Sequence, residues 1–446
     1  MIKLREYLSG VLSRDDDLDR ACHSIPEESC RESSRNFSIN VCNGAASKLA
    51  EQIAGPNLIL PWLFQLLGTP VWMFGFLMPI KQSFSLLPQM IVAGQIRQLA
   101  KRKWIWVGSA VVQVLCLLLM IPVALWLSPT VAGLSLLGLL IIFSTASGTA
   151  SVAFQDVLGK TIDKGHRGKL LARRALVGGL LTTVAGLLLN RYREVQQGLT
   201  PVLFLLFAAA VLWGLSALFF ALIREFPGAV QGGRNAISES QAGFKLFHQH
   251  PGFRKFLTAR SLLLAVELAT PFFVLHAGQL LQLNIQSVGS LIVAVGVSQI
   301  LSSPFWGNMA DQTSKKVMAL SSLIAFMAAV LALFLTVVPW YSFQYAGYLL
   351  VFVLIGLAEA GVRLGRKTYL VDAAPADERA TYTAFSNSFV GILAIVSGVT
   401  GLIAQWLGAS VMIFAIAIFM LLGFWVCRQM PEADAMISGE SSQGVP

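Results

Sequence analysis

Twelve long apolar runs, separated by short polar turns, constrain this chain more than any other feature. Each is long enough, or nearly so, to cross a bilayer as a helix, which takes about 20 residues. Hydrophobic residues make up 55% of the chain and Asp, Glu, Lys and Arg only 13%, against about a quarter in soluble domains. A chain this apolar cannot hide its surface in one globular core, so the solvent for most of it is lipid. Helices are favoured because every backbone polar group in lipid must be satisfied within its own segment. The fold class implied is an all-α membrane protein with twelve transmembrane helices.

The runs lie near 38–66, 70–96, 104–127, 131–155, 173–190, 200–223, 256–280, 286–307, 317–339, 344–367, 381–406 and 409–427. A polar arm, 1–36, precedes them and lacks the short apolar stretch after a basic start that marks a cleavable signal. The longest internal loop holds Pro227, Gly228, Gly232 and Gly233, which read as a linker. Phe244, Phe247, Phe253 and Phe256, beside Lys245, Arg254 and Lys255, read as an interfacial stretch. The organisation is a cytosolic arm 1–36, a six-helix half 37–223, a central cytosolic loop 224–255, a second six-helix half 256–428 and a cytosolic tail 429–446.

The formal net charge is +10, which in a soluble protein would raise the question of nucleic acid. Here the bases cluster in alternate loops, which is a topology signal instead. Arg97, Lys101, Arg102 and Lys103 share one loop, and Lys160, Lys164, Arg167, Lys169, Arg173 and Arg174 share another. The intervening turns, such as Gly68-Thr69-Pro70 and Ser128-Pro129-Thr130, carry no base; Arg191 and Arg193 are the exceptions. Both termini are therefore expected in the cytoplasm, with the chain multi-pass in an inner or plasma membrane. Cys22, Cys30, Cys42, Cys116 and Cys427 form no CxxC pair and read as thiols.

One polar break recurs. Gly307-Asn308-Met309-Ala310-Asp311-Gln312-Thr313-Ser314-Lys315-Lys316 follows the eighth run, and Gly94-Gln95-Ile96-Arg97-Gln98-Leu99-Ala100-Lys101-Arg102-Lys103 follows the second. Gly94 and Gly307 are 213 positions apart; Arg167 and Arg379, and Gly179 and Gly391, are each 212 apart. Three pairs at offsets that agree to within one residue, in matching places, imply two pseudo-symmetric halves of parallel sense.

Gly307-x-x-x-Asp311-x-x-x-Lys315-Lys316 resembles the loop signature of the major facilitator superfamily, Gly-x-x-x-Asp-Arg/Lys-x-Gly-Arg/Lys-Arg/Lys. The match keeps Gly307, Asp311 and the basic pair and departs at Gln312 and Ser314; the first copy keeps Gly94 but has Gln98 for the acid. With the helix count and the half-chain repeat, the resemblance covers residues 37–428. It implies a transporter whose loop contacts latch one state and break as the protein opens on the other side. Physically, Gly307 permits close helix approach, Asp311 suits a helix N-terminus or a loop arginine, and Lys315 and Lys316 suit lipid headgroups.

Ionisable groups at bilayer depth cost about 2.5–3.5 kcal/mol on insertion scales, so they face a cavity or a partner. Lys48 and Glu51 share a face of the first helix. Lys81 is in the second and Glu267 in the seventh, without an obvious local cation; Glu359 and Arg363 stand at i,i+4 in the tenth. Three acids and three bases can neutralise one another pairwise. Glu267 is the candidate proton carrier, whereas His276 reads as a packed histidine. Arg363 could instead snorkel to the surface with Arg366 and Lys367. Gly55-Pro56 and Thr270-Pro271 interrupt the first and seventh helices at corresponding places, which points to a binding region between the halves.

Other chemistry is missing from the pattern. No Walker loop, nucleophile elbow, HExxH or metal-spaced Cys/His cluster occurs, so no enzyme, cofactor or metal site is expected. Relative to the superfamily, the fifth helix lacks the Gly-Pro signature of drug antiporters, and Ser144 stands near where a proton-coupling Arg often sits. The expected function is secondary active transport of a small polar, anionic or zwitterionic solute by a monomer, coupled to protons. The alternative is a non-transporting receptor or assembly partner that binds through 1–36 and 224–255.

Overall fold

The computed structural model describes residues 27–96, 99–191, 198–227, 236–281, 285–310, 312–374 and 379–436, and every regular element among them is helical. A short helix, α1 (Glu27–Arg31), leads into the first span, which is two pieces: α2 (Ser33–Ala54) and α3 (Ile59–Leu67). A 3-10 turn over Val71–Met73 opens the second span, α4 (Phe74–Ile96). Spans three to six are α5 (Lys103–Trp126), α6 (Pro129–Thr161), α7 (Lys164–Arg191) and α8 (Thr200–Ala221).

The loop helix α9 (Ala236–Gln249) precedes the seventh span, again in two pieces, α10 (Pro251–Leu268) and α11 (Thr270–Leu281). Spans eight to ten are α12 (Ile285–Ala310), α13 (Ser314–Phe334) and α14 (Tyr341–Ala373). The eleventh is α15 (Arg379–Ser397) with α16 (Thr400–Leu407), and the twelfth is α17 (Ala409–Gln429).

Local chemistry sets these bounds. Proline stands in the first turn of α6, α8 and α10, where no intrahelical donor is lost. Gly68 ends α3 in the left-handed region (φ 67°), and the Gly68 and Thr69 N–H groups return to the Gln65 and Phe64 carbonyls. Gly408 (φ 88°) makes the tight turn from α16 into α17.

Among the described residues, nine helical spans are long and apolar enough to cross a membrane. Spans one, two and eight are richer in Ser, Asn and Gln and complete the twelve. The outer surface is apolar: Leu115, Leu119, Phe204, Phe414 and Trp425 are exposed on it. So wide an apolar surface needs lipid against it.

The two halves meet along two seams, α7 against α12 and α4 against α15 and α16. Small residues bring the backbones together there. A Cβ on Gly186 would stand 2.8 Å from the Gly289 carbonyl, and one on Gly296 would stand 2.6 Å from Thr183 Oγ1. Gly401 packs on the Trp72 carbonyl across the other seam, where Ser83 Oγ also donates to the Gly391 carbonyl at 2.5 Å. Gly179 and Gly391 thus occupy matching places, one at each seam. Beyond the seams, Gly278 of α11 packs on Gln65 of α3.

The thiol reading of the cysteines is corrected at one place. Cys30 is disulfide-bonded, while Cys42, Cys116 and Cys427 are free.

The loop helix packs through aromatic rings. Phe247 lies 6.3 Å from Phe385 and from Phe389 of α15, and Phe253, at the start of α10, lies 4.7 Å from Tyr382, also of α15.

Candidate functional site

A cavity of about 220 Å³ lies where spans one, two, seven and ten converge. Its wall is built from both halves. Glu51 and Asn57 come from span one, Lys81, Gln82 and Ser85 from α4, Glu267 from α10, and Glu359, Arg363 and Arg366 from α14. Met78 and Leu86 add apolar surface.

The helix interruptions lie beside it. Between α2 and α3 the chain turns over Gly55–Leu58, with Pro56 buried in the turn and Asn57 on the cavity wall. Between α10 and α11 the break falls at Ala269, and Pro271 sits in the first turn of α11. A proline there frees backbone and lets a span bend without losing an interior bond.

The charges are organised differently from a simple pairwise scheme. Lys81 Nζ lies 2.8 Å from Glu51 Oε1. Glu267 is not alone: Arg366 Nη1 stands 3.3 Å from Glu267 Oε1, and Gln82 Nε2 donates to Glu267 Oε2. That corrects the expectation of an acid without a cation. The partner is 99 positions away, on another span, where no local pattern points to it.

The i,i+4 pair does not close. Glu359 Oε1 accepts a hydrogen bond from Thr270 Oγ1 at 2.7 Å, and among the described residues no ion pair joins it to Arg363. Helical spacing favours such a pair only weakly, and the neighbouring span offers Glu359 a hydroxyl instead. Arg363 stays on the cavity wall, and Arg366 lies on the wall with it rather than reaching the surface.

Of the six proposed pathway residues, Glu51, Lys81, Glu267, Glu359 and Arg363 line this one cavity, and Lys48 does not. The Lys48 stem lies under Gly178 of α7, where a Cβ would stand 2.8 Å from it. Lys48 therefore sits behind the wall, between spans one and five.

Several polar residues at or beside the site are easily passed over in the sequence, although Arg260 stands inside the seventh apolar run and carries the same signal as Glu267. Arg260 is buried on α10, two turns from Glu267 on the same face. Its Nη1 donates to Ser386 and its Nη2 to Asn387 Oδ1 at 2.7 Å, both on α15. Asn57, Gln82 and Thr270 are neutral, and a neutral polar residue in an apolar run is seldom distinctive. His276 is buried and bonded to the Tyr348 hydroxyl and, at 3.0 Å, to Ser410.

None of the described residues of the loop motif lines the cavity. Gly94 is within α4, and Asp311 lies outside the described residues. Among the described residues a Cβ on Gly307 would meet nothing within 4 Å, so none of them makes the expected close helix approach there. Lys316 is exposed, whereas Lys315 binds protein rather than headgroups: its Nζ lies 2.9 Å from Glu432 Oε1.

Three comparisons bear on this geometry. A model described as Major Facilitator Superfamily matches residues 255–441. In sequence the chain is similar to the uncharacterized protein Rv2209 of Mycobacterium tuberculosis, 25% identical over 265 residues, which is 58% of this chain and 51% of the relative. The chain thus spans about half the length of the curated relatives it matches.

In structure the chain is similar to a point mutant of the nucleoside transporter NupG: TM-score 0.67, 14% identity, 88% of this chain and 99% of that chain. A POT family transporter in complex with 5-aminolevulinic acid gives 0.67 at 10% identity over 88% and 95%. The inward open xylose transporter XylE from E. coli gives 0.64 at 13% over 91% and 99%. At these identities the likeness is one of fold.

Proposed function

We propose that this chain, which belongs to the major facilitator superfamily by its fold and by the sequence of residues 255–441, is a secondary active transporter of a small polar solute. The observation that carries the reading is the cavity itself. It is polar, lies between the halves, and takes charged side chains from spans one, two, seven and ten. An unneeded charge at that depth is costly. Three acids and three bases on one wall are economical only where they meet a solute or an ion.

Transport then proceeds by rocking of one half against the other along the α7–α12 and α4–α15 seams, exposing the cavity to each side in turn. Glu267 is the coupling group in this reading. Protonating its carboxylate cancels the ion pair with Arg366, so proton binding and cavity charge change together. The loop 307–316 acts as a latch near one end, and the bilayer is an inner or plasma membrane with both termini cytoplasmic. The working unit is a monomer.

The test is solute uptake by purified protein in liposomes, screened over a panel of small polar solutes with and without an imposed pH gradient. Wild type is expected to accumulate its solute faster under the gradient. Glu267→Gln is expected to retain solute exchange and to lose the response to the gradient. Uptake by wild type that ignores the gradient would remove the proton from the mechanism.

A further inference from the structure

The charges in and behind the cavity do not balance. Among the described residues, Lys48, Lys81, Arg260, Arg363 and Arg366 are the cations around it, and Glu51, Glu267 and Glu359 the only carboxylates. Two ion pairs form, Lys81 with Glu51 and Arg366 with Glu267. Glu359 is held by the Thr270 hydroxyl, and Arg260 by the neutral Ser386 and Asn387, with its Nε left unpartnered. On the wall three cations meet three acids, and the two cations behind it, Lys48 and Arg260, give the region its positive excess.

Arg363 differs from the other four. Lys48 and Arg260 stand behind the wall, and Lys81 and Arg366 have carboxylate partners. Arg363 lines the cavity and makes no hydrogen bond or ion pair among the described residues. Glu359, Glu267 and Glu51 lie near enough to act on its charge, yet its donors stay unbonded at a depth where that is costly, and its planar fork of donors matches an oxyanion in bidentate fashion. Around it Asn57, Gln82 and Ser85 offer neutral hydrogen-bonding groups, and Met78 and Leu86 offer apolar surface.

We propose that the cavity binds a small organic solute of net negative charge, anchored through its carboxylate or phosphate group by the Arg363 guanidinium. The proposal rests on reading the cavity as the transport site, and it narrows the solute from polar to anionic. A neutral or zwitterionic solute would leave the positive excess uncompensated. The volume of about 220 Å³ limits the solute to a small molecule.

The test uses the full-length protein in lipid nanodiscs, with thermal unfolding followed by tryptophan fluorescence. Succinate, lactate and glycerol 3-phosphate are titrated beside succinamide, lactamide and glycerol. At least one anion is expected to raise the unfolding temperature saturably while its neutral counterpart does not, and which anion responds separates carboxylate from phosphate. Arg363→Gln is expected to weaken that anion by about tenfold or more, and Arg363→Lys to fall between. The ligand-free unfolding temperature of Arg363→Gln should not drop, because no internal partner is lost; a purely structural arginine would lower it. Neutral compounds that bind as well as the anions, an anion response unchanged in Arg363→Gln, or no response to any anion would each overturn the proposal.

Counterflow of the same solutes in liposomes separates this inference from the reading beneath it. A protein that carries only neutral solutes remains a transporter and loses the anion assignment. A protein that binds anions through Arg363 but carries none keeps the assignment and loses transport.

Discussion

Lys103 and Lys315 hold the same post in the two halves, 212 residues apart. Lys103 Nζ donates to the Ala221 and Ile223 carbonyls, each at 2.8 Å, where span six ends. Lys315 Nζ donates to the Met430 carbonyl at 3.2 Å, where span twelve ends, and pairs with Glu432. Each lysine begins a span and closes the end of the last span of its own half. The cation meets orphan carbonyls at a helix C-terminus, where positive charge is favoured. The half-chain repeat thus extends from sequence offset to bonding.

An acid accompanies each lysine, but the two are unequal. The Glu225 side chain is fully buried and accepts the backbone N–H groups of Arg102 and Lys103 as well as Lys160 Nζ. Glu432 is half-exposed. Replacing Glu225 with Ala should destabilise the protein by about 3–5 kcal/mol, the cost of stripping one partner from a buried ion pair. Replacing Glu432 with Ala should cost about 0–1 kcal/mol, as for exposed pairs. Thermal unfolding in lipid of the two variants checks the order, and an equal loss would count against it.

The Lys81–Glu51 pair joins spans one and two at the cavity wall. Glu51→Gln and Lys81→Gln should each lower stability, and the double variant should lose less than the sum of the two. A coupling of about 0.5–3 kcal/mol is expected for groups in direct contact. A double-mutant cycle on unfolding measures it; additive losses would show that the pair is not coupled.

Two glycines separate a seam from a loop. Gly401 lies against the Trp72 carbonyl, so Gly401→Ala drives a methyl group into backbone, whereas Gly307 has open space among the described residues. Overpacking of this kind costs about 1–3 kcal/mol, and Gly401→Ala should lose both stability and solute flux. Gly307→Ala should stay within about 0.5 kcal/mol. Parallel measurement of unfolding and flux tests both, and the reverse order would contradict the placement of the seam.

Much of the fold is legible in the sequence because lipid allows few solutions. Apolar runs of the right length become helices, and Gly55-Pro56 and Thr270-Pro271 fall where two spans are interrupted. Five of the six ionisable residues singled out in those runs line one cavity, because each needs water, a partner or a solute. What stayed hidden was pairing between spans. Nothing near Glu267 in sequence announces Arg366, and Thr270 draws Glu359 away from the arginine one turn below it. Lys48 shares a helix face with Glu51, yet the approach of Gly178 turns it toward span five. Gly307 was chosen for close packing, but close packing depends on what stands opposite, which one chain segment does not specify.

The most direct test of the account is to plug the cavity. Ser85 lines it, whereas Leu115 lies on the outer apolar surface. Counterflow in liposomes would compare wild type with Ser85→Trp and Leu115→Trp, reconstituted at equal density, for a solute that wild type carries. The account predicts that Ser85→Trp loses solute exchange while Leu115→Trp retains it. Exchange through the plugged protein at the wild-type rate would contradict the claim that solute passes through this cavity.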